Sequence, residues 1–81
     1  MITAAQIRAA RALLGWSGAE LAEAAGLSLQ TIRRMESPIG PERSAAINVE
    51  AVQRALETAG VLFLPADDAA TLGPGLRLKP I

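Results

Sequence analysis

Neither cysteine nor histidine occurs among the 81 residues. Without cysteine there is no disulfide to staple a small core and no thiolate to bind a metal, and a reducing, cytoplasmic setting fits such a chain best. The two absences together remove the usual nucleophilic thiol, general base and zinc ligands, so an enzyme is not expected and no metal or cofactor is implied. An excess of either charge is missing as well: eight Lys and Arg stand against eight Asp and Glu, a formal net charge of zero. Non-specific attraction to nucleic acid arises almost wholly from phosphate neutralisation and should therefore be weak. No apolar run is long enough to span a bilayer, and Met1-Ile2-Thr3-Ala4-Ala5-Gln6 lacks a basic start followed by an apolar stretch, so a soluble protein without a membrane partner is expected. Internal repeats and low-complexity segments are also absent.

What is present is a repeated way of starting helices. Thr3 with Gln6 is a capping-box pair, and Ile2 with Ile7 is spaced as a hydrophobic staple across it, which predicts a helix from about Ala4 to Leu14. Ile7, Ala10 and Leu14 share one face of that helix, Leu13 flanks them, Arg8 falls on the solvent side and Arg11 near the boundary. Gly15 is placed to end it. Ser17 and Glu20 repeat the capping box, with Trp16 and Leu21 as the staple, and Gly26 stops the second helix. Trp16, the one tryptophan, reads as a core anchor, the other option being a stacking surface for a ligand. Ser28 caps a third helix, with Leu27 and Ile32 as its staple and Ile32 and Met35 turned inward. Ala22 is small where two helix axes must approach. Ser17 to Glu36 thus reads as a helix-turn-helix.

Ser37-Pro38-Ile39-Gly40-Pro41 forces a loop after Glu36. A fourth helix is expected from a cap at Asn48 to about Ala59, ending at Gly60. Ile47 and Val52 would staple its start, and Val49, Val52, Ala55, Leu56 and Ala59 would face inward. Glu50 and Arg54 could pair on its outer face. Beyond it the pattern changes to Val61-Leu62-Phe63-Leu64, a Pro/Asp/Gly-containing loop with Asp67 and Asp68, and Leu76-Arg77-Leu78-Lys79-Pro80, which reads as two strands. In the second, Leu76 and Leu78 point one way, Arg77 and Lys79 the other. The fold class is thus mainly α, a four-helix helix-turn-helix domain over residues 1–60 with a short two-stranded β extension over 61–81. A core this small is marginal alone, and a bare ribbon leaves open edges. The extension is therefore expected to hold a homodimer together through Val61, Phe63, Leu76 and Leu78, the alternative being a hairpin folded back on its own helices.

Over Ile2 to Gly60 the chain resembles the Xre/lambda-repressor-like family of helix-turn-helix transcriptional regulators. The likeness is carried by Ile7-Arg8-Ala9-Ala10-Arg11-Ala12-Leu13-Leu14-Gly15-Trp16-Ser17, Glu20-Leu21-Ala22, Ala25-Gly26-Leu27-Ser28 and Thr31-Ile32-Arg33-Arg34-Met35-Glu36. It implies that the helix of residues 28–36 enters the major groove. Positions Ser28, Leu29, Gln30 and Arg34 would then read bases, and Thr31 would hold a phosphate. The chemistry of the outward residues agrees. Gln30 can pair with adenine and Arg34 with guanine, each discriminating by about 1–3 kcal/mol, while Leu29 suits a thymine methyl. Arg33 reads as a base or phosphate contact. The bland alternatives are a solvated face for the arginines and packing at the domain edge for Leu29.

Backbone positioning falls to Ser17, Thr31, Arg43, Ser44 and Asn48. Arg11 and Glu36 match positions that the family joins as a structural ion pair, whose disruption in a buried setting costs about 3–5 kcal/mol. Gly18 departs from the family, which often has a phosphate-clamping glutamine there. These features imply a sequence-specific regulator, a repressor in the leading reading, binding double-stranded DNA as a homodimer. The alternatives are the antitoxin of a toxin–antitoxin pair, with the tail on a toxin, and a helix-turn-helix scaffold for an unknown protein partner. The chain lacks the long disordered tail that the antitoxin reading favours.

Overall fold

The structure, a computed structural model, describes residues 2–64 and 75–78. It contains α1 (Ala4–Leu14), α2 (Gly18–Ala25), α3 (Leu29–Met35), a 3₁₀ turn (Pro41–Arg43), α4 (Ala46–Thr58), β1 (Val61–Leu64) and β2 (Gly75–Leu78). The loop expected between the strands, with Asp67 and Asp68, and the strand end at Lys79 and Pro80 lie outside the described residues.

The first three helices begin where their caps dictate. Thr3 Oγ1 accepts from the Gln6 amide at 3.1 Å while Gln6 Oε1 accepts from the Thr3 amide at 2.9 Å. Ser17 and Glu20 repeat this at 3.1 and 2.9 Å, and Ser28 Oγ accepts from the Thr31 amide at 3.1 Å. Each bond satisfies an amide that the helix cannot. α1 and α2 also end alike. Gly15 and Gly26 take left-handed φ values of 69° and 71°, which let the next amides, Trp16 and Leu27, donate back to Arg11 and Ala22, both at 2.9 Å.

α4 departs from expectation at both ends. Its cap is Ala45, without a side-chain bond, so Asn48 lies inside the first turn rather than at the cap. Ile47 is 73% exposed and staples nothing. The 3₁₀ turn ends in extended Ser44 and Ala45, and Ala46, an excellent helix former, joins the helix as soon as the chain is free to coil. At the far end Ala59 is exposed, beyond the last helical residue, and Ala55 is half-buried. Glu50 and Arg54 are both exposed and make no ion pair, the Arg11–Glu36 bridge being the one formed among the described residues.

The core draws from every helix. Ile7 and Ala10 of α1, Leu21 and Ala22 of α2, Ile32 and Met35 of α3 and Val49, Val52 and Leu56 of α4 are buried together with Ile2 and Val61. Trp16, Leu14 and Leu27 pack on its edge, as the staple readings require, whereas Leu13 is 48% exposed.

β1 and β2 pair antiparallel, with Val61 opposite Leu78 and Phe63 opposite Leu76. These four residues therefore share one face of the ribbon. That face turns to the chain's own helices: Val61 is fully buried, Phe63 and Leu76 pack on the core, and only Leu78 is exposed. Of the two arrangements weighed for the tail, the hairpin folded back on its own core is the one present, and Val61 is not open to a partner. Gln6 fastens it. Its Nε2 donates to the carbonyls of Gly75 at 2.8 Å and Leu64 at 3.3 Å, one on each strand.

Candidate nucleic-acid interface

Ser17 to Glu36 place two helices around a turn at left-handed Gly26, with the small Ala22 of α2 buried in the core. α3 then presents two faces. Ile32 and Met35 are buried, while Gln30, Arg33 and Arg34 are exposed on the other side. Among the described residues no side chain or backbone group bonds the side chains of these three. They are charged or amide-bearing, free to turn, and fixed in position only by the helix beneath them.

Ser28 and Thr31 are already engaged. The Ser28 hydroxyl caps the Thr31 amide and lies 2.9 Å from Thr31 Oγ1, so its first task is to start α3. Ser17 Oγ likewise serves the capping box of α2. Leu29, the first residue of α3, is half-buried and leans over Gly18 at the first turn of α2. Arg43 is exposed on the 3₁₀ turn, which packs on α3, and Ser44 follows it half-buried. Asn48 is half-buried in the first turn of α4. The expected readers are thus gathered on α3, and Arg43 stands on the element that borders it.

α3 is locked at its C-terminal end. Arg11 of α1 grips the Glu36 carboxylate with two bonds, Nε to Oε2 at 2.6 Å and Nη2 to Oε1 at 2.9 Å, and also donates through Nη1 to the Trp16 carbonyl at 3.0 Å. The hydrogen bond to Glu36 outweighs the opposing effect of burial and raises the Arg11 guanidinium above its ordinary value. Arg8, expected simply on the solvent side, is exposed yet donates through Nη1 to the Glu36 carbonyl. The residue that caps α3 is therefore held twice from α1, at its carboxylate and at its carbonyl. The second hold had a signal in the three-residue spacing of Arg8 and Arg11, which puts both on one side of α1.

α3 is thus braced from α1 at its C-terminal end and presents Gln30, Arg33 and Arg34 on its exposed face. Residues 7–40 match a family model described as helix-turn-helix. That match supports a DNA-binding helix-turn-helix regulator in general. No curated protein and no solved structure matches the chain.

Proposed function

From a helix-turn-helix of the Xre/lambda-repressor-like type over residues 7–40, we propose that the protein is a sequence-specific repressor that binds operator DNA as a homodimer. The observation that carries this is the exposed face of α3, where Gln30, Arg33 and Arg34 project from a helix braced by the Arg11–Glu36 pair. A helix held this way offers side chains of the right chemistry to the major groove: an amide for adenine and guanidinium groups for guanine or phosphate. Ser28 and Leu29, at the start of α3, meet the same groove. Thr31 and Ser17 line the backbone with the amides of the helix starts, and Arg43, Ser44 and Asn48 extend that edge.

Zero net charge shapes how the protein finds its site. With little long-range attraction to phosphate, discrimination rests on base contacts, and specific binding should stand well clear of a low non-specific background. Repression then follows from occupancy of a promoter.

The test is enrichment of duplexes from a randomised pool, followed by titration with Gln30→Ala and Arg34→Ala. Each variant should lose about 1–3 kcal/mol and relax preference at one base pair. Unchanged preference in both would remove them as readers. A chain that shows no salt-dependent binding to any duplex is a scaffold for protein contacts instead.

A further inference from the structure

We propose that Gly18 is a specificity determinant: the missing side chain seats Leu29 against the first turn of α2, and Leu29 held there reads an A·T pair through its thymine methyl. This assignment rests on the DNA-binding reading above.

Glycine at position 18 has no backbone reason. Among the described residues the glycines with positive φ are Gly15, Gly26, Gly40 and Gly60, and Gly18 is not among them. As the first residue of α2 it is helical, a setting in which alanine is the better residue. What alanine would change is space. A Cβ built on Gly18 falls 3.1 Å from Leu29 Cδ1, inside the 3.4–4 Å of ordinary contact, and among the described residues meets no other atom within 4 Å beyond its chain neighbours and its own helix backbone. The room left by glycine is therefore occupied by one side chain, that of the first residue of α3.

Leu29 differs from its neighbours accordingly. It is half-buried where Gln30, Arg33 and Arg34 are exposed. A leucine free in water gives up rotamer freedom on binding, whereas one already packed against α2 gives up less. Its position at the N-terminal end of the groove-entering helix faces base edges, and thymine alone among the bases offers a methyl there. Gly18 and Leu29 thus form one unit spanning both helices of the motif, Gly18 a positioning residue and Leu29 the apolar reader.

The experiment enriches duplexes from a randomised pool with the wild-type protein, Gly18→Ala, Leu29→Ala and the double variant, after thermal melts establish that each is folded. Both single variants should lose preference at the same A·T pair, by roughly three- to tenfold, with other positions unaltered. The double variant should match Leu29→Ala, since no side chain remains for the new methyl to displace. Three outcomes overturn the unit while leaving DNA reading intact: Gly18→Ala with unchanged base preference, Gly18→Ala that shifts affinity equally for all sequences, or effects of the two substitutions that add. A wild-type protein that enriches no duplex overturns the DNA reading itself, and the assignment with it.

Discussion

At the scale of single residues, Glu36 is where α3 is secured. The two Arg11 bonds to its carboxylate form a fork on a pair that is mostly shielded, with side-chain exposures of 25% for Arg11 and 11% for Glu36. Arg8 contributes a single bond at the surface, to a carbonyl that water can reach. Removing Arg11 strands a carboxylate and frees the Trp16 carbonyl, so Arg11→Ala is expected to cost about 3 kcal/mol. Arg8→Ala removes one exposed bond and should cost about 1 kcal/mol or less. On a chain this short each kcal/mol moves the melting temperature by about 4–8 °C, so the two variants should be well separated in a thermal scan. Equal melting temperatures would mean that the Arg11 fork contributes no more than a surface contact.

At the scale of elements, what could be read in advance was what is local. The starts of α1, α2 and α3 are fixed by hydroxyl, carboxamide and carboxylate groups three residues from the amides they satisfy, and Gly15 and Gly26 end the first two helices in the left-handed conformation. Four residues sufficed to see each. The start of α4 is not legible locally: Asn48 has the chemistry of a cap, while the boundary is set by the 3₁₀ turn and extended Ser44, which have no capping signal. The second role of Gln6 was invisible for a different reason: its hairpin partners lie 58 and 69 positions away. The outward positions of Gln30, Arg33 and Arg34 on α3 follow from helical spacing once Ile32 and Met35 are inward, but the seating of Leu29 over Gly18 depends on how α2 crosses α3. Gln6 also makes the hairpin's attachment testable. Gln6→Leu keeps the bulk but leaves the Leu64 and Gly75 carbonyls without this donor and the Thr3 amide without its acceptor, at about 2 kcal/mol in all. Amide exchange should quicken in β1 and β2 well before it does in α2 and α3. Equal acceleration throughout would mean that the hairpin and the helices open as one unit.

At the scale of the whole molecule, α1 has more apolar surface than its own core covers. Ile7 and Ala10 face inward, yet Ala5, Ala9, Ala12 and Leu13 lie exposed on another side, lining a groove with Gly75 and Leu76 of β2. Beside it, among the described residues, β1 and β2 pair only with each other, and Leu78 is 42% exposed. For the proposed homodimer this side offers a contact that does not use Val61: a twofold axis would set one α1 and β2 against the other, and the matching operator would have two half-sites. Leu13 is the residue to change, and Leu13→Gln leaves the net charge alone, so DNA attraction is not altered by the substitution itself. A twofold contact loses each side chain twice, or about 3 kcal/mol in all, which weakens dimerisation roughly a hundredfold. Sedimentation equilibrium should therefore show dimers for the wild type and mostly monomers for the variant at the same concentration. Binding to a duplex with two half-sites should fall in parallel while binding to a single half-site stays level. A wild-type protein that sediments as a monomer and binds one half-site as tightly as two would show that each copy reads DNA alone.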